Sequence, residues 1–159
     1  MSAKLIYDSA PLGSIIHFSN GEPRPPERFK RKVAAWENDN GSGRLVECNP
    51  PYGAGSYRAP ASFTLQTGSY GSHGVLVLVV RRVWSVGSPL HFEIAERPKP
   101  GMVRVLTSFQ GRDELRYLAD DMAAAESWCL EHHYSGIRFD VVGEDELMNR
   151  GGSDFAIID

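Results

Sequence analysis

About 50 consecutive residues, Ser62 to Phe109, are patterned for strands and broken only by turns. That restricts the chain to folds in which hairpins stack into an antiparallel sheet. Ser62 to Gln66 reads as a strand and Gly68 to Gly74 as a glycine-rich connection. Val75 to Trp84 follows, and its run Val75 to Val80 has no polar phase, the pattern of a central strand buried on both faces. Leu90, Phe92 and Ile94 alternate with His91, Glu93 and Ala95, as in a strand with one wet face. Pro98 to Gly101 turns the chain into a third consecutive strand, Met102 to Phe109, and a short extended segment from Glu114 to Leu118 comes next.

Helical periods lie on either side of this β-rich block. Glu27 to Asn38 places Phe29, Val33 and Trp36 on one stripe, and Pro26 suits the first helical position. The run from Asn38 to Gly43 is expected to end that helix through a left-handed cap. A second helix is expected over Met122 to His133, capped by Asp120 or Asp121, with Gly136 just past its end and a strand at Ile137 to Val142. Near the start, Leu5-Ile6-Tyr7 reads as a short strand and Ser14 to Phe18 as a better one, while Asn49 to Ala61 reads as a loop. The order predicts a single α+β domain over 1–159. Its architecture would be a twisted, antiparallel-dominated sheet of about five to seven strands with two main helices packed on it. Arg150 to Ser153 reads as mobile, and Phe155, Ile157 and Ile158 form an apolar end able to meet a second copy.

Charge is unevenly placed. Residues 111–159 carry 12 Asp and Glu against four Arg, a net of −8, while residues 1–110 carry +5, giving −3 in all. Arg24, Arg28, Arg31 and Lys32 make the sharpest chemical feature, a cationic helix flank beside the Phe29/Val33/Trp36 stripe. Such a flank is most often a solvated surface; as a site it would meet an acidic protein patch or phosphates. The net negative charge favours protein over duplex DNA.

Catalytic and metal motifs are weak. Cys129 and His132 could lend two ligands from one helix, but His17, His73, His91 and His133 offer no matching pair, so no metal is expected. Cys48 and Cys129 fit no redox motif and read as reduced thiols of a cytoplasmic protein. The segment Gly68 to Gly74 feeds a strand, whereas phosphate-binding glycine loops feed a helix. No cofactor is expected, and an unrecognised small enzyme is the third reading behind protein binding and nucleic-acid binding. No signal peptide is visible at the start, and the longest apolar run is far too short for a membrane span of about 20 residues.

Tyr7 to Ile16, Phe18 to Gly21, Arg24 to Lys30, Ala34 to Trp36, Asn40 to Leu45, Ala61 to Leu65 and Glu96 to Pro98 together resemble an uncharacterised domain family carried on bacterial plasmids and integrative elements. The resemblance spans about Tyr7 to Val142. It implies a mobile-element accessory protein, of a kind that serves DNA maintenance or transfer or counters host defences, and it assigns no functional residues.

Overall fold

The computed structural model describes residues 1–70 and 76–144, with side chains 68–79 left aside. It holds three helices, an eight-stranded sheet whose recorded pairings are all antiparallel, and a separate two-stranded hairpin. The sheet therefore exceeds the expected five to seven strands.

The first element is α1 (Ala3–Ser9), not the expected strand. Ser2 accepts from the Leu5 N–H at 3.3 Å, Lys4 pairs with Asp8 at 2.6 Å, and Ala3 and Ile6, three apart, are both fully buried. A cap and a three-residue spacing outweigh the strand propensity of a three-residue window. Strand β1 (Ile15–Ser19) follows.

Helix α2 runs over Lys30–Asp39 and starts later than expected, because Pro26 closes a turn with the Phe29 N–H at 3.0 Å instead of opening the helix. Of the expected stripe only Val33 is buried; Phe29 remains 40% exposed. The helix ends without a left-handed cap. Asn40 is extended (φ −139°), and its side chain donates to the Trp36 carbonyl at 2.8 Å and to Asn20 Oδ1 at 3.1 Å.

Gly41 already belongs to β2 (Gly41–Asn49). Gly43 is there for close approach: a Cβ would lie 2.9 Å from Thr67 Cγ2 and 3.0 Å from the Gln66 carbonyl. The supposed loop after β2 contains a hairpin of β3 (Tyr52–Ala54) and β4 (Tyr57–Ala59), turned at Gly55 with φ 62°.

Strands β5 (Ser62–Tyr70) and β6 (Leu76–Ser85) form the longest pairing, so β5 extends into the first three residues of the expected glycine-rich connection. Among the described residues β6 pairs only with β5, which makes it an edge and not a central strand; Val80 and Val83 are 37% and 61% exposed. An all-apolar run records burial tendency, whereas edge or centre is decided by pairings distant in sequence.

Strands β7 (His91–Glu96), β8 (Val103–Phe109) and β9 (Arg112–Ala119) lie close to their expected positions. The β8–β9 turn uses Gln110 and Gly111, both at positive φ, as a two-residue hairpin of primed type requires. Helix α3 (Met122–Glu131) is capped by Asp121, which accepts from the Ala124 N–H at 2.8 Å. Strand β10 (Ile137–Val141) then pairs with β8.

β2 organises the whole. Its first half pairs with β1 and its second half meets β9 at Glu47, while β5 runs along both parts past a bulge between Leu45 and Glu47. One core gathers Phe18, Phe63, Trp84 and Phe92 with Ile6, Ile16, Leu45 and Leu65 beneath α1. A second joins Val103, Val105 and Ala119 to Ala125 of α3. Val46, Leu106 and Leu115 form a third, packed with Leu12 and Leu118.

Candidate binding surface

The cationic flank stands at the start of α2, just after the Pro23–Pro26 segment. The structure splits the four expected residues into two groups. Arg24 turns inward along the helix: Nε and Nη2 bond Glu27 Oε1 at 3.1 and 2.9 Å, and Nη2 also reaches Glu37 Oε1 at 3.1 Å. Its guanidinium lies 5.3 Å from the Trp36 ring centre, and the Trp36 indole donates to the Glu22 carbonyl at 2.8 Å. The Glu27 hydrogen bond leads the effects that raise the Arg24 pKa. Arg24 is thus tied to Glu27 and Glu37, unlike the other three expected residues.

Arg28, Arg31 and Lys32 remain together, joined by Lys30. Arg28 Cζ sits 4.8 Å and Lys32 Nζ 5.0 Å from the centre of the half-exposed Phe29 ring, which they flank as cation–π partners. Arg31 is exposed. No carboxylate forms an ion pair with any of these four cations among the described residues. No side chain caps α2, and its first turn is Lys30-Arg31-Lys32. Helix starts favour anions, both for their unpaired N–H groups and for the dipole. Three cations there concentrate positive charge, with no ion-paired carboxylate among the described residues to offset it.

A cavity of about 390 Å³ lies elsewhere, between the β8–β9 hairpin and the end of β2. It is lined by Glu47, Phe109, Arg112, Glu114, Arg116 and Tyr134, with nearby hydroxyls of Thr107, Ser108 and Ser135. Glu114 takes Arg81 on one side and Arg116 on the other, at 2.9 Å for the latter. Arg116 also donates to Thr107 Oγ1 at 3.0 Å and stacks over Tyr134, and Arg112 donates to Asn49 Oδ1 at 3.0 Å. Its arginines are spent on internal partners, so this network ties β6, β8 and β9 together. Sequence reasoning missed it because Arg81 and Glu114 are 33 residues apart.

Cys129 and His132 do not form a ligand pair. The His132 ring stacks on Trp128 at 4.2 Å, with Nδ1 2.9 Å from the Trp128 carbonyl. Among the described residues no group of three or more His, Cys, Asp or Glu is placed to hold a metal, and no helix is long and apolar enough to cross a membrane. Phe155, Ile157 and Ile158 lie outside the described residues.

Cys48 offers a chemical check on the fold. Burial first, and then the neighbouring Glu47 charge, push its thiol up to about 11. The thiolate is the reactive form, so Cys48 in the folded protein is expected to resist alkylation at mildly alkaline pH. Its labelling should accelerate as pH rises toward 11, and should become fast at once on unfolding. Peptide-resolved mass spectrometry after brief alkylation measures this, and rapid native labelling of Cys48 near neutral pH would contradict the burial described.

Fold and surface together define an α+β protein with a cationic helix start. The model of the family described as Uncharacterised conserved protein UCP036055 matches residues 1–146, and the chain belongs to that family. No curated protein and no solved structure matches the chain.

Proposed function

We propose that the chain is a non-catalytic binding protein that docks the start of α2 onto an acidic protein surface. One observation carries this reading: Arg28 and Lys32 flank a half-exposed Phe29, and they, Lys30 and Arg31 have no carboxylate ion pair among the described residues, whereas neighbouring Arg24 has two. An aromatic ring flanked by Arg suits the centre of a protein interface. The patch covers about one helical turn, small beside the roughly 6–10 phosphate contacts of a salt-sensitive DNA binder. The net of −8 over residues 111–159 also repels a long polyanion.

The resemblance to plasmid- and integrative-element proteins suits an accessory role of this kind in the cytoplasm, and an inhibitor of a host defence complex is its most specific form. A nucleic-acid-binding factor is the second reading, favoured by the same helix start, whose N–H groups and cations also fit phosphate.

The test pairs affinity capture from host lysate, with and without nuclease, with a gel shift across salt concentrations. Capture should survive nuclease, and the wild type should not shift DNA or RNA at moderate salt. Arg28→Glu/Arg31→Glu/Lys32→Glu, at exposed positions, should keep the thermal midpoint while weakening the captured complex by about tenfold to hundredfold. Nuclease-sensitive capture or a salt-dependent gel shift would replace this reading with the second, and unchanged binding by the triple variant would remove α2 from the interface.

A further inference from the structure

Beyond the cationic patch, one edge of the sheet carries an exposed apolar row. β10 closes the order β10-β8-β9-β2-β1-β7 and pairs with β8 alone among the described residues. Val142 donates its N–H to the Met102 carbonyl at 2.8 Å, on the β8 side. Alternation along the strand then turns the N–H and C=O groups of Arg138 and Asp140 toward β8, and leaves those of Ile137, Phe139 and Val141 on the outer edge. Their side chains share the α3 face of the sheet, opposite Thr107, Val105 and Val103 of β8. Helix α3 packs on β8 and β9, and Phe139 and Val141 stay 37% and 54% exposed. Unprotected edges with an apolar row are rarely left open, since they template pairing.

We propose that two copies join through β10 in antiparallel register centred on Phe139. The strand reads Ile137-Arg138-Phe139-Asp140-Val141 and is complementary to its own reverse. Ile137 meets Val141 of the second copy, Phe139 meets Phe139 at the twofold axis, and Arg138 meets Asp140 on the opposite face, twice over. In the centred register the outward backbone groups face one another and form about six interchain hydrogen bonds. A shift by one residue would oppose groups already bonded to β8.

Arg138 and Asp140 have inner partners, Asp113 at 2.6 Å and Arg104 at 2.8 Å, but their side chains are 53% and 41% exposed and retain room for an outer one. The pairing is isologous and closes as a dimer. A five-residue strand pair is small for a standard interface, which places the association in the micromolar range.

Sedimentation velocity of the full chain across the micromolar range tests this. The wild type is expected to pass from monomer to dimer with rising concentration. Phe139→Lys sets two cations against each other at the axis and should weaken association at least about tenfold while leaving the thermal midpoint near that of the wild type. Phe139→Cys places two thiols across a hydrogen-bonded pair, with Cα atoms about 5.5 Å apart and within disulfide range, so oxidation should yield a covalent dimer that the wild type does not form. A wild type that stays monomeric, a dimer indifferent to Phe139→Lys, or no covalent dimer of Phe139→Cys would each overturn the proposal.

Discussion

Phe63→Ala is expected to lower the folding free energy by about 3–5 kcal/mol and the thermal midpoint by about 10 °C. Phe63 is fully buried on β5, with its ring 5.2 Å from Phe92 and 6.3 Å from Trp84, between strands that share no direct pairing. Deleting it opens a cavity that β1, β6 and β7 cannot all close, because each is fixed by its own ladder. The loss includes the transfer energy of the ring, its edge contacts and the residual void. Calorimetry of the purified variant measures the shift. A loss below about 1 kcal/mol would mean that the aromatic cluster is not the centre of the core.

Arg104→Met is expected to cost about 2–4 kcal/mol, although it replaces a charge in the sheet with an apolar side chain of similar length. The Arg104 side chain on β8 is only 5% exposed. Its Nε donates to the Leu12 carbonyl at 2.7 Å and its Nη1 to Asp140 Oδ2 at 2.8 Å. Asp140 is exposed enough to be rehydrated, but the Leu12 carbonyl loses a charged donor at a part-buried position. That penalty of an orphaned acceptor outweighs the relief of removing a buried cation. Arg104→Lys should recover only part, since an ammonium cannot serve both acceptors in the guanidinium's planar geometry. Urea denaturation gives the midpoint and slope; a Met variant as stable as the wild type would show that the Leu12 bond contributes little.

What the sequence made legible follows the range of the interaction involved. Asp121 caps its helix three residues away, and Leu90/Phe92/Ile94 alternate within one strand, so α3 and β7 could be read locally. Ser2 and the Ala3/Ile6 spacing were local too, but α1 is only seven residues long and a three-residue apolar window obscured it. The glycines at 41 and 43 resembled a helix end; their role at the Phe18 and Thr67 side chains needs partners distant in the chain. Edge placement of β6 depends on where β2 and β1 run, which no window of the sequence contains. At the candidate surface the cations of α2 were visible as a run. The separation of Arg24 from the rest was not, because it rests partly on Glu37, 13 residues downstream.

The division of labour along β2 has a consequence for how the molecule comes into being. Among the described residues the first core draws on residues between Ala3 and Ile94, and the second on residues between Val103 and Ile137. As the chain emerges from the ribosome, the amino-terminal half can close around Phe63 before the carboxyl-terminal half exists. The second half of β2, already paired with β5 along one side, then keeps its other side open, and the β8–β9 hairpin, closed by its Gln110-Gly111 turn, docks there at Glu47. Vectorial synthesis thus presents the two halves in the order in which they can be joined.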